Sequence, residues 1–412
     1  MPTDLLPSLG PVRTVPIAQP GELLELLPER AGLAWVTGGE GLVGWGTAAR
    51  LDLTGPDPFG RAEQWWRALT ADVDVIDDVG LPGCGPVAFG SFAFDAETGH
   101  SALVVPETVV GVHDGVWWLT TVGRSPGLPE RRNPPAPPGP LTGRDGARTA
   151  AEWTALVAEA VRRIAAGEVE KVVLARDVVI EVGRPVDPRW PLRRLAARYP
   201  SCWTFAVDGL LGATPEMLVR LEKGVATSRV LAGTLRRNGD PARDRYDGTA
   251  LAGSIKDLEE HGYGVRSVAD ALARHCRSVE VPEDPFVLAL PNVMHLATDV
   301  SAVVADGSTS LGLLASLHPS AAVCGSPTDA ALRVIRQIEG LDRGRYAGPV
   351  GWMNAAGDGE WGIALRCAQI DQDAPERLRA FAGCGIVAGS KPRDELAESE
   401  AKLVPVRDAL LS

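Results

Sequence analysis

The stretch YAGPVGWMNAAGDGEWGIALRCAQI, residues 346–370, sets two apolar runs around the turn AAGDGE. Glycine and aspartate at the centre with β-branched and aromatic residues on both flanks is the pattern of a β-hairpin, read here as strands near 348–355 and 360–370. Outward from it, strands are expected near 203–208, 217–221 and 378–387, and helices at 254–278, 325–339 and 392–411. The segment VEKVVLARDVVIEV, 169–182, is β-branched and apolar on both faces, which predicts a buried strand. Before it, AEWTALVAEAVRRIAAGE places Trp153, Leu156, Val157, Ala160, Val161 and Ile164 at helical spacing.

Residues 1–125 alternate short apolar runs with Gly, Pro and Asp turns (GLAWVTG, GLVGWG, GPVAFGSFAF), the mark of further antiparallel strands. Prolines and glycines then dominate 126–148, which reads as a loop. The catalytic region is expected over 149–412, with no internal repeat. The fold class follows: α+β, large antiparallel β-sheets packed together with helices on the outside.

With 412 residues, 45% of them hydrophobic and 23% charged, the chain can bury a large core. Its net charge of −12 argues against nucleic-acid and anionic-membrane partners, which require a basic surface. Six scattered cysteines without a C-x-x-C pattern read as reduced structural thiols. MPTDLLPSLG lacks the basic and apolar segments of a signal peptide, so a cytoplasmic protein is expected.

Four segments are more polar than packing requires. Lys171 shares a strand face with Val173 and Ala175, which directs an ammonium into an apolar interior or cleft. Burial of this kind is what a lysine general base requires. On the strand alone, an edge lysine that snorkels to water is the plainer reading. Glu216 follows a Thr-Pro turn and heads an apolar strand, where a carboxyl at a pocket mouth can stay protonated as a general acid. A lone glutamate in that place is more often simply solvated.

In SIKDLEEHGYGVRSVADAL, Ser254 and Asp257 form a capping box, Asp257 and Glu260 share a helix face, and Lys256 is spaced to pair with Glu260. In GSKPRDELAESEAKLVPVRDAL, Pro392 suits a first helical turn, and Glu395, Glu398 and Lys402 fall on one stripe. Each set alone suits an exposed ion-pair face; together they supply the hard oxygen ligands that Mg²⁺ prefers. No P-loop or dinucleotide fingerprint is present, and the glycines of GCGIVAGS suit close backbone approach to an anion.

Read together in order, EKVVLAR, TPEMLVR, LAGTLRR, SIKDLEEH, VMHLAT, LHPSAAVCG, YAGPVGW, GEWGIALR, GCGIVAGS and ELAESEAK resemble the chorismate-utilising enzymes, over about 155–412. That family includes anthranilate, aminodeoxychorismate, salicylate and isochorismate synthases. The resemblance implies Glu260 and Glu398 as Mg²⁺ ligands, with Asp257 and Glu395 holding metal-bound waters. It implies substrate contacts from Gly233, Thr234, His295, Tyr346, Arg366, Gly383, Gly385 and Lys402. Lys171 matches the water-activating lysine, and Glu216 the acid.

Within the family, Lys171 disfavours the ammonia-using enzymes, anthranilate and aminodeoxyisochorismate synthases, and so a glutaminase subunit. Ala232 stands where aminodeoxychorismate synthases carry a lysine nucleophile. LHPSAAVCG and HLAT resemble the corresponding stretches of isochorismate synthases, although Ser320-Ala321 departs from their HPTPA pattern. The expectation is an isomerase converting chorismate to isochorismate, as a monomer or homodimer. A salicylate synthase, which goes on to eliminate pyruvate, is the alternative.

Overall fold

A computed structural model describes residues 9–123, 133–237 and 239–411. The side chain of Lys256, and with it the expected pairing to Glu260, lies outside the described residues, as do residues 124–132 of the proline-rich stretch. Among the described residues are two sheets, one of thirteen strands and one of ten. Their ladders are antiparallel except where Val12–Pro16 runs parallel to Val75–Asp77. Strands from residues before 123 enter both sheets, so the first third of the chain completes them. Among the described residues no helix is long and apolar enough to cross a membrane.

Two apolar layers follow from that arrangement. Between the sheets, Trp35, Phe205 and Leu210 of the larger one share a buried cluster with Phe89, Met217, Val350 and Trp361 of the smaller. The opposite face of the larger sheet buries Ala34, Leu211, Ala368 and Leu378 beneath Leu192, Leu403, Val406 and Leu410, which belong to the helices Arg189–Arg198 and Pro392–Leu410. Helices Ile255–Leu272 and Ser310–Leu317 cover the smaller sheet. The α+β class with helices outside two large sheets is therefore the observed one.

The hairpin is present, with Pro349–Asn354 paired to Gly359–Ile363 from Pro349↔Ile363 to Met353↔Gly359. Its second run differs from expectation. Residues 360–370 form two strands in different sheets, Gly359–Ile363 in the smaller and Cys367–Ile370 in the larger. The break is at Arg366, whose φ of 48° turns the chain from one sheet into the other. The 254–278 helix ends at Leu272, and Cys276–Glu280 joins the edge of Val293–Val304. Within the 126–148 loop, Leu141–Asp145 pairs with Val178–Val182 as an edge strand, because its two prolines nearest the ladder stop at Pro140.

Candidate active site

Two of the places where the chain passes from the larger sheet to the smaller or back meet at one point. Leu210–Thr214 lies in the larger sheet and Met217–Glu222 in the smaller, so Pro215-Glu216 is one link; Ala364–Arg366 is the other. The links are hydrogen-bonded neighbours: Ile363 N donates to Glu216 O at 3.1 Å, and Ala213 N to Arg366 O at 3.3 Å. Topology therefore brings a carboxyl and a guanidinium together in the wall of a buried cleft. Burial pushes the Glu216 carboxyl up to about 7, against a hydrogen bond from the Leu231 backbone and the charges of Lys171, Arg366 and Lys402.

The cleft is lined by Glu216, Gly233, Thr234, Glu260, His295, Tyr346, Arg366, Gly383, Gly385 and Lys402 among the residues picked out in the sequence. A register shift between Ala232 and Thr234 makes Gly233, at φ 67°, a bulge in Val225–Arg236. Thr234 thereby sits opposite His295, with Oγ1 3.2 Å from Nδ1. The other ring nitrogen, Nε2, is 3.2 Å from Arg366 Nη2. A guanidinium can only donate, so Nε2 accepts and the ring proton is on Nδ1. Burial and the charges of Arg366 and Lys402 hold this imidazole neutral, its pKa well below 6.5. Tyr346 stacks on Phe381, ring centroids 5.1 Å apart, and burial raises its pKa above the usual tyrosine value.

Lys171 opens the Lys171–Val182 strand and is 1% exposed, so the snorkelling reading fails. Its Nζ lies 3.4 Å from Glu260 Oε1. Gly385 makes room for both: a Cβ there would fall 2.4 Å from that oxygen and 2.9 Å from Lys171 Cε. On Gly383 a Cβ would press on Leu174 O and the Tyr346 hydroxyl, each at 3.0 Å. The glycines thus clear space in the cleft. Beyond Ala380, among the described residues, their strand has no neighbouring strand on the edge facing away from Lys171–Val182.

Lys402, on the last helix, donates to Gly383 O at 2.9 Å and to Glu398 Oε1 at 2.5 Å. Burial works against its charge, but the Glu398 carboxylate outweighs that and raises its pKa above the usual lysine value. Glu395, Glu398 and Cys384 bring possible ligand atoms within 4.8 Å of one another, the one such group among the described residues. Glu260 stands outside that tight group, paired to Lys171, yet its charge reaches Cys384. Burial raises the Cys384 thiol, and the charges of Glu398, Glu395 and Glu260 raise it further. Glu395 and Glu398 beside Cys384, with Glu260 close enough for its charge to act on the same thiol, offer the oxygen donors that suit a hard divalent cation. Asp257 is not brought into the group; it packs at the Gly233 bulge, 3.0 Å from where a Cβ would stand.

Sequence reading missed the buried pair of Glu339 and Arg343 beside the cleft, and Cys384 among the acids. Parity carried a signal for the cysteine, since a residue between two cleft-facing glycines turns to the helix side. Arg343 in LDRGRY had no periodic signal.

The family profile described as chorismate binding enzyme matches residues 129–411. The salicylate biosynthesis isochorismate synthase of Pseudomonas aeruginosa is 35% identical over 393 residues, covering 89% of this chain and 82% of that protein. Isochorismate synthase DhbC of Bacillus subtilis is 42% identical over 258 residues, 60% of this chain and 64% of the relative. The crystal structure described as a 2,3-dihydroxybenzoate-specific isochorismate synthase, DhbC, from Bacillus anthracis superposes with a TM-score of 0.79 at 30% identity, covering 94% of this chain and 98% of that one. On the profile match and the Pseudomonas similarity, the chain belongs to the chorismate binding enzyme family.

Proposed function

We propose that the protein is a Mg²⁺-dependent isochorismate synthase that moves a hydroxyl on the chorismate ring by adding water at C2 and losing the C4 hydroxyl. The observation that carries this reading is a buried, readily protonated carboxyl in the cleft wall, Glu216, that feels the charge of a buried lysine, Lys171, bonded to the cleft-lining Glu260. Lys171 acts as the base that takes a proton from the attacking water, the ring double bonds shift, and protonated Glu216 gives its proton to the departing hydroxyl. Each transfer supplies on the order of 10²–10⁴ in rate. Arg366, held by neutral His295, and Tyr346 receive the enolpyruvyl carboxylate. Lys402 faces the ring carboxylate.

Glu260 and Glu398 would hold Mg²⁺, with Glu395 beside them, and the cation would bind and orient the ring carboxylate. No glutaminase partner is needed for a water nucleophile. The relatives named as DhbC isochorismate synthases support the isomerase, while the Pseudomonas relative, named for salicylate biosynthesis, also fits the salicylate synthase alternative. Turnover in ¹⁸O-water tests the chemistry: the account expects one labelled oxygen, in the new C2 hydroxyl, and unlabelled product contradicts it.

A further inference from the structure

Lys171–Val182 pairs with Arg377–Ile386 along one edge, from Val172 to Glu181. On the other edge Gly325–Ser326 covers only Lys171 and Val172, and Leu141–Asp145 covers Val178 to Val182. Between them, among the described residues, the strand has no neighbouring strand, and buried backbone groups left there without partners would be costly. Side chains fill the gap. Arg343 Nη2 donates to Val173 O at 2.8 Å, Glu339 Oε2 accepts from Ala175 N at 2.7 Å, and Trp153 Nε1 donates to Ala175 O at 3.0 Å. Val173 N reaches Cys324 O at 2.8 Å.

The two charged residues act as a unit. Glu339 and Arg343 are 1% and 4% exposed and joined by two hydrogen bonds of 2.7 and 2.6 Å, with the guanidinium 4.1 Å from the Phe94 ring centroid. Glu339 neutralises the guanidinium, which leaves it poorly suited to receive a substrate anion. Arg343 also donates to Val323 O at 3.0 Å in the cleft wall, and its own carbonyl accepts from Tyr346 N at 3.0 Å. One ion pair is therefore bonded to the strand that carries Lys171, to the cleft wall and to the turn that carries Tyr346.

We infer that Glu339 and Arg343 are positioning residues for the proposed isomerisation, standing in for a missing strand and fixing Lys171 relative to the cleft wall and Tyr346. This rests on the reaction assigned above. Val173 is two residues from Lys171, about 7 Å along the strand, and a misplacement near 1 Å can cost on the order of 10²-fold in rate.

The test compares Glu339→Gln, Arg343→Lys and Trp153→Phe with wild type, well below each variant's melting temperature. The first two are expected to lose about 10- to 100-fold in kcat with KM within about threefold. Trp153→Phe, which removes one edge hydrogen bond and no charge, is expected to lose about threefold. All three should speed amide exchange over residues 172–177. Wild-type kcat in Arg343→Lys, a KM rise at unchanged kcat, or unaltered exchange would overturn the inference. If Arg343→Lys does not fold, the other two variants decide by the same criteria. Absence of isochorismate with the wild-type protein would instead sink the reaction assignment, and the exchange experiment would still judge the edge.

Discussion

Lys171 Nζ lies 3.4 Å from Glu260 Oε1, and the two side chains share the space that Gly385 leaves empty. A base strand and a carboxylate-bearing helix therefore meet through the absence of one methyl group. Lys402 and Glu398 repeat the pairing at the helix Pro392–Leu410. The catalytic lysine and the metal-binding acids proposed here occupy adjoining halves of one arrangement.

Gly385→Ala tests that shared space. The added methyl displaces the ends of two side chains and no backbone, so the melting temperature should change little while kcat falls by on the order of 10²-fold. Steady-state kinetics with a thermal melt checks this; a wild-type kcat would contradict it.

Glu216→Gln should act in two ways. Activity in kcat/KM of the wild type should fall as pH rises through about 7, when the acid loses its proton, and the variant should lose that limb with most of its rate. Stability has the same direction. The folded pKa lies above the ordinary value of 4.5, so the buried neutral carboxyl favours folding below that value and the benefit fades as pH rises to about 7. At pH 8 the variant should be more stable than wild type by about 3 kcal/mol, and near pH 4 about equal to it. Denaturant titrations at the two pH values measure the difference.

His295 should show no titration in function. Its imidazole is held neutral far below 6.5, so KM for chorismate should carry no histidine limb between pH 5.5 and 7. His295→Phe removes the acceptor for Arg366 and should raise KM by about 10-fold, on the order of one charge-assisted hydrogen bond. An unchanged KM would separate His295 from Arg366.

Chelation should silence the enzyme and Mg²⁺ restore it. Independently of turnover, Mg²⁺ at about 100 times its dissociation constant should stabilise the protein by about 2.7 kcal/mol. Glu398→Gln should abolish that gain. A melt indifferent to Mg²⁺ in the wild type would contradict the proposed ligand set.

Much of this site was legible in the sequence because its residues sit in elements with strong local patterns. The Lys171 strand is apolar on both faces, and the helix carrying Glu260 opens on a capping residue, Ser254, whose Oγ accepts from Asp257 N. What parity and period could not give was long-range. The turn at Arg366 splits a continuous apolar run between two sheets, and no local signal marks where a strand changes partners. Glu339 and Arg343 follow from a gap in strand pairing, which exists only once the fold is complete. Helical spacing places Asp257 on the Glu260 face, and the fold packs it against the Gly233 bulge of the cleft wall, a contact that spacing alone does not give.

The central claim, isomerisation through Lys171 and Glu216, is most directly tested by following purified protein, chorismate and Mg²⁺ by proton NMR, beside a Lys171→Ala control. The account predicts isochorismate accumulating to an equilibrium with chorismate, no matching pyruvate signal, no requirement for ammonium, and loss of the rate in the control by on the order of 10²–10⁴. Stoichiometric pyruvate with salicylate, an amino product that depends on ammonium, or undiminished turnover by Lys171→Ala would contradict it.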